Sequence, residues 1–195
     1  SDATGPLKAV DAILTDLRDF SYRTIVIDDT MRADHAALIQ DKLLNSNRLF
    51  TASTIGILRM QKDASEQDIL RINAKQADIA MLKACDILKP GLTEENIALA
   101  LQNSFSDQGA LPQFSIVASG SNSAFPHHQT GSRKLKEGDA IVIDLGGKFE
   151  GYASDITRMS SIGATPKDYA LIHQIVEDAV CSAMEAARPG QIAKN

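Results

Sequence analysis

The sequence predicts an α+β chain made of a small N-terminal α/β unit followed by a larger helix-and-strand unit. Two observations carry this. Apolar residues recur at helical spacing through 6–20, 31–44, 68–88 and 166–187, and short apolar runs bounded by turn residues read as strands at 24–27, 114–118 and 140–145. The length of 195 residues allows one full core or two small ones. The division expected is 1–60 as a small α/β domain and 61–195 as the second domain.

In chain order, Pro6–Phe20 is an amphipathic helix with Leu7, Val10, Ile13, Leu14 and Leu17 on one side. Thr24–Ile27 is a short buried strand. Met31–Leu44 is a helix with Thr30 or Asp34 as its N-cap and Asn45-Ser46-Asn47 as its stop. Arg48–Ala52 reads as another strand, and a short helix hands over near Lys62 to a long one. Ser65 with Asp68 gives a loose capping box for that long helix. The long helix, Asp68–Leu88, carries Ile69, Ile72, Ala77, Ile79, Met81, Leu82, Cys85 and Leu88, and Lys89-Pro90-Gly91 ends it. Thr93 caps the next helix, with Glu94 and Glu95 placed to favour its dipole.

Phe114–Ala118 is then a strand, followed by a Gly/Ser/Asn-rich loop. A hairpin follows: Ala140–Leu145, a turn at Gly146-Gly147, and a return strand over Lys148–Ala153. Pro166–Ala187 closes the chain as a helix, with Leu171, Ile172, Ile175, Val176, Ala179, Val180 and Met184 on its apolar side.

The composition, 44% hydrophobic and 23% charged, is that of an ordinary globular protein. No apolar run approaches the roughly 20 residues needed to span a bilayer, and the N-terminal residues lack a signal-peptide pattern. A net charge of −5 argues against nucleic acid or an anionic membrane as partner. Cys85 and Cys181 fall in helical runs and are expected as reduced core thiols. These features together predict a cytoplasmic protein.

The residues with chemical potential concentrate in 122–158. Asp144 ends an apolar strand and Asp155 follows a glycine-bounded turn, so a hairpin brings two carboxylates to one end. Convergent carboxylates suit hard divalent cations, which prefer oxygen ligands. Taken singly, each acid reads equally as turn punctuation, but an acid ending a buried strand requires a partner. His127 and His128 sit in the loop behind Pro126, where an imidazole can exchange protons with a substrate; a solvated loop histidine is the plainer reading. Thr157 can bond a carboxylate, and Arg158 can neutralise the acids or serve only as a buried ion-pair partner. His35 and His173 lie within helices and read as surface or core residues.

The string from Ser119 to Met159, SGSNSAFPHHQTGSRKLKEGDAIVIDLGGKFEGYASDITRM, resembles the pita-bread metallopeptidases, in particular the branch of Xaa-Pro aminopeptidases and Xaa-Pro dipeptidases. The matching positions are Asn122, Ala124, Pro126, His127, Gly138, Asp139, Asp144, Gly146, Gly151, Tyr152, Ser154, Asp155, Thr157 and Arg158. Residues 58–78 also resemble the junction between the N-terminal and catalytic domains of these enzymes.

The resemblance implies the first half of a pita-bread fold, preceded by the remnant of a small α/β domain. It implies metal-dependent hydrolysis of the Xaa-Pro bond, with Asp144 and Asp155 as metal ligands, Asp155 bridging, and His127 contacting the substrate. Thr157 and Arg158 would support the site. Two divalent ions would activate a water and polarise the scissile carbonyl, with Mn²⁺ the expected metal and Co²⁺ or Zn²⁺ as alternatives.

The family's remaining histidine and two glutamates have no counterpart between Ser160 and Asn195, where His173 and Glu177 do not fit the motif. The resemblance therefore implies an internal fragment, inactive by itself, from a parent that takes proline-containing peptides. An exposed sheet face would make it a homo-oligomer. The alternative is a non-catalytic pita-bread module that binds a peptide or partner.

Overall fold

A computed structural model describes residues 5–16 and 24–192. The chain divides into two compact units, Ser1–Ser65 and Glu66–Asn195. Among the described residues, no helix is long and apolar enough to cross a membrane.

The first unit runs α1 (Gly5–Asp16), β1 (Thr24–Ile27), α2 (Ala33–Lys42), β2 (Asn47–Phe50), a 3-10 turn at Thr51–Ser53, and α3 (Ile55–Met60). β1 and β2 pair in parallel from Thr24↔Asn47 to Ile27↔Phe50, as two strands joined through a helix can. Asp29 ties the end of β1 to the turn after β2: its Oδ2 accepts from the Thr51 hydroxyl at 2.6 Å and from the Ala52 N–H at 2.8 Å. The predicted continuation of the first helix to Phe20, with Leu17, lies outside the described residues. Neither predicted cap of α2 forms. Arg32 holds the N-cap position without a side-chain capping bond, and the two predicted caps are engaged elsewhere: Thr30 donates back to Asp28, and Asp34 pairs with Arg32 at 2.9 Å.

The second unit contains α4 (Ala64–Ile87), α5 (Glu94–Asp107), β3 (Leu111–Ser119), β4 (Ala140–Phe149), β5 (Tyr152–Ala153), β6 (Ile156–Ser161) and α6 (Tyr169–Ala186). β4 is central. β3 lies antiparallel on one edge, while β6 and then β5 occupy the other edge in succession. One face of this sheet presents Val117, Ile141, Ile143 and Leu145 to Ile97, Leu101 and Phe105 of α5 and to Ala77, Ala80, Met81 and Ala84 of α4, all in one buried cluster. The period-two alternation along β4, buried at 141, 143 and 145, leaves Val142 and Asp144 on the opposite face.

α5 starts as predicted at Thr93, whose side chain accepts from the Asn96 N–H while Asn96 reaches back to the Thr93 N–H, a reciprocal capping box. α4 starts earlier than predicted: Ser65 is already helical and donates to Asp63, so the expected Ser65–Asp68 box does not form. The buried stripe of α4 is Asn73, Gln76, Ala77, Ala80, Met81 and Ala84, whereas Ile72, Ile79 and Leu82 are 45%, 43% and 65% exposed. A face of alanines needs no large side chain to fill the gap to its neighbours. Its two amides anchor the N-terminal part of the stripe, Asn73 Nδ2 donating to the Phe149 carbonyl and Gln76 Nε2 to that of Gln108.

The hairpin differs from the expectation. Gly146 and Gly147 continue β4, and the reversal falls at Glu150-Gly151, with φ of 49° and 84° between the paired residues Phe149 and Tyr152. Two left-handed residues are what a tight hairpin with matching twist requires. The glycine pair serves close approach instead: a Cβ on Gly146 would lie 2.4 Å from the Phe114 ring, and one on Gly147 2.5 Å from the Phe105 ring. Cys85 and Cys181 are free thiols as expected, but both are exposed rather than in the core. His35 and His173 are exposed on their helices.

Candidate active site

Register across the sheet places Ile116 of β3, Asp144 of β4 and Thr157 of β6 in one row on the face away from the helices. They line a cleft of about 300 Å³ together with Ala118, Val142 and the loop residues Phe125, Pro126 and His127. Asp144 is half-buried, and its Oδ1 accepts from the Thr157 hydroxyl at 2.8 Å. His127 is exposed at the rim with φ of 53°, a left-handed conformation uncommon for a side chain with a Cβ. The fold thus brings Asp144, Thr157 and His127 to one place from positions far apart in the chain.

Asp155 stands in the break between β5 and β6, where Ser154 turns inward. The Ser154 N–H donates to the Gly147 carbonyl at 2.8 Å, and the Ser154 hydroxyl accepts from the Gly147 N–H at 3.2 Å. Asp155 and Arg158 line a second cleft of about 530 Å³ against Leu70, Ala74 and Asp78 of α4, and Thr157 lines both clefts. Arg158 is exposed and forms no ion pair among the described residues; its guanidinium donates to the Thr157 carbonyl at 2.8 Å. It is therefore not a buried ion-pair partner.

Behind the cleft lies a polar network that sequence reasoning did not find. Glu94, the first residue of α5, is 0% exposed. Its Oε1 accepts from the Ser119 N–H at 2.8 Å, the Ser119 hydroxyl at 2.7 Å and the Asn122 amide at 3.0 Å. Its Oε2 meets His128 Nε2 at 2.9 Å and accepts from the Gly131 N–H at 3.4 Å. Burial pushes the Glu94 carboxyl up, but the bonds from Ser119, His128 and Asn122 outweigh it and hold the group below the usual glutamate range. Arg133 extends the network, donating to the Ser119 hydroxyl at 2.6 Å and forming a two-pronged pair with Asp139 at 2.6 and 2.9 Å. The Arg133 hydrogen bond keeps Asp139 below its ordinary value and raises Arg133 in turn. From the sequence Glu94 reads only as a dipole partner, and no local spacing marks it. The available sign was an acid at a helix start that burial would require to be paired.

The donor set suits a divalent cation in kind. Asp144 Oδ2 and the Asp155 carboxylate accept no hydrogen bond among the described residues, so their lone pairs are open. The set does not complete a coordination sphere, since no cluster of three or more His, Cys, Asp or Glu side chains occurs among the described residues.

Residues 68–195 match the model of metallopeptidase family M24. A probable dipeptidase PepE of Mycobacterium tuberculosis is 35% identical over 170 residues, 86% of this chain and 45% of that protein. A Xaa-Pro dipeptidase of Pyrococcus furiosus is 36% identical over 139 residues, 70% of this chain and 40% of that one. Among solved structures, the dipeptidase PepE of Mycobacterium ulcerans superposes with a TM-score of 0.83 at 32% identity, covering 97% of this chain and 50% of that one. The prolidase of Pyrococcus horikoshii gives 0.82 at 28%, covering 93% and 52%.

The chain thus spans about half the length of the relatives it matches. Over that length its mixed helix-and-sheet architecture is that of the pita-bread prolidases. With the motif run, the sheet topology and the matched region in agreement, the chain belongs to metallopeptidase family M24.

Proposed function

We propose that this chain carries the first part of the active site of a metal-dependent peptidase that hydrolyses the Xaa-Pro bond, at the N-terminus of peptides or in dipeptides. The observation that supports this most is the meeting of Asp144, Thr157 and His127 in one cleft on the sheet face opposite the core. In this reading Asp144 and Asp155 hold two divalent ions, Mn²⁺ by preference and Co²⁺ or Zn²⁺ as alternatives. Bound there, such ions supply Lewis-acid polarisation of the scissile carbonyl and a water that ionises near neutral pH.

The chain's own residues do the rest. The Thr157 hydroxyl fixes Asp144 through Oδ1 and leaves Oδ2 directed elsewhere. His127 stands at the cleft rim, where its imidazole N–H can donate to the carbonyl oxygen as negative charge grows on it. The apolar floor of Ile116, Ala118 and Val142 suits a ring such as that of proline and limits water beside it. Arg158 lends positive charge beside Asp155.

The reading extends to a cytoplasmic protein that acts on proline-containing peptides as a homo-oligomer. Support for assembly comes from α6, where Leu171, Ile172, Ile175, Val176, Val180 and Met184 are each more than half exposed in a helical stripe. Light scattering at micromolar concentration tests it. The activity is tested by hydrolysis of Xaa-Pro peptides by the full-length polypeptide with added Mn²⁺. Cleavage lost in His127→Ala supports the reading; a folded, metal-loaded protein without cleavage favours a non-catalytic peptide-binding module.

A further inference from the structure

We propose that Glu94 and His128 form a positioning pair that holds the loop from Ser119 to Gly131 so that His127 faces the cleft. The proposal rests on the functional reading of His127 given above. The loop leaves β3 at Ser119 and passes beside the start of α5 on its way to β4. A single buried carboxylate takes hold of it at both ends. Ser119 and Asn122 donate to Oε1 on the departing side, and His128 and Gly131 meet Oε2 on the returning side. The backbone repeats the closure, since the Glu94 and Glu95 N–H groups donate to the carbonyls of Arg133 and Gly131 at 3.0 and 3.1 Å.

His127 lies between the two clamped ends, and its left-handed backbone is the one strained non-glycine position between Ser119 and Gly131. Strain of this kind persists only where the surroundings over-determine it. His128 is the nearest fixed point. Because a carboxylate only accepts, His128 must present Nε2–H to Glu94, which sets both its tautomer and its ring plane. With His128 turned inward to the buried acid, the adjacent His127 is turned outward to the cleft. Arg133, anchored on Asp139, donates to the Ser119 hydroxyl, whose own proton goes to Glu94 Oε1.

The chemistry separates this pair from a general stabilising contact. A carboxylate buried without partners is costly, and a hydrophobic side chain at position 94 would fill the same space without that cost. What it could not do is hold two separate stretches of a loop through five directed bonds.

The test uses the full-length polypeptide with His127→Ala, His128→Ala, His128→Gln, Glu94→Gln and the Glu94→Gln/His128→Ala double variant. Each is assayed for Xaa-Pro hydrolysis and for hydrogen exchange over 119–131. The expected result is a kcat loss of roughly 10- to 100-fold in His128→Ala with little change in KM, as misplacement of a catalytic group produces. His128→Gln, which keeps a donor, recovers part of it. The double variant loses no more than the worse single variant, the behaviour of residues that act as a unit. Exchange over 119–131 quickens by about tenfold or more in His128→Ala while the core strands stay protected.

His128→Ala within about twofold of the parent in kcat, with His127→Ala inactive, would overturn the proposal and leave the functional reading standing. Unchanged exchange in the loop would also overturn it. Full activity in His127→Ala would remove the functional reading, and the positioning role with it.

Discussion

Thr157 and Asp144 face one another across β6 and β4, and the Thr157 hydroxyl donates to Asp144 Oδ1 at 2.8 Å. One carboxylate oxygen is thereby fixed by the sheet, and the other accepts no hydrogen bond among the described residues. Thr157→Val keeps the branched shape but removes the donor. It is expected to raise the Mn²⁺ concentration needed for half-maximal activity by about tenfold, while stability changes by only about 0.5–1.5 kcal/mol, the net worth of one hydrogen bond. Thr157→Ser should stay near the parent. A metal titration of activity alongside urea unfolding checks both.

Gly147 owes its identity to Phe105, not to a turn. A Cβ there would sit 2.5 Å from the ring of a fully buried residue. Gly147→Ala should therefore cost about 1–3 kcal/mol through overpacking. At Gly151, where nothing lies within 4 Å and φ is 84°, Asn should be tolerated because it adopts the left-handed region readily. Urea midpoints of the two variants separate a packing requirement from a conformational one.

Glu94 and Asp139 are both held below their ordinary pKa values in the fold. Groups depressed in this way stabilise the folded state above their unfolded pKa values, about 4.3 and 3.9, and that stability is lost as pH falls through the lower folded values. Thermal midpoints should stay level above about pH 5 and decline below about pH 4. Glu94→Gln should start lower at neutral pH, by about 1–3 kcal/mol, and show a shallower acid decline. An equal acid slope in parent and variant would assign the dependence to other groups.

How far the sequence was legible follows the range of the interactions involved. Thr93 as a cap, the strand at Thr24–Ile27 and the closing helix could be read because cap chemistry and periodicity act over a few residues, but the strand is not buried as expected: only Ile27 is. Asp144, Thr157 and His127 were readable as candidates by residue type and by family resemblance, and their common cleft arises from strand register. The glycine pair misled because turn propensity is local whereas the rings of Phe114 and Phe105 come from elsewhere in the chain. Glu94 was invisible for the same reason: its partners lie 25 to 37 residues away. On α4, Ala77 and Met81 are buried as the periodicity suggests, but size misdirects at Ile72, Ile79 and Leu82, which are exposed while Ala80 and Ala84 join the core.

That last point can be measured. Ala80 is 0% exposed within the core cluster, so Ala80→Leu should destabilise the second unit by about 1–3 kcal/mol despite raising its apolar content. Denaturant unfolding provides the value. A stabilised variant would mean that spare room exists between α4 and its neighbours.

The most direct measurement is Mn²⁺-supported hydrolysis of an Xaa-Pro dipeptide by the full-length polypeptide, with Asp144→Asn and Asp155→Asn compared at matched folding. The expected result is cleavage by the parent, abolished by a chelator and restored by metal, and a loss of at least about 100-fold in each variant. Cleavage that survives either substitution undiminished would contradict the assignment of these two aspartates as metal ligands.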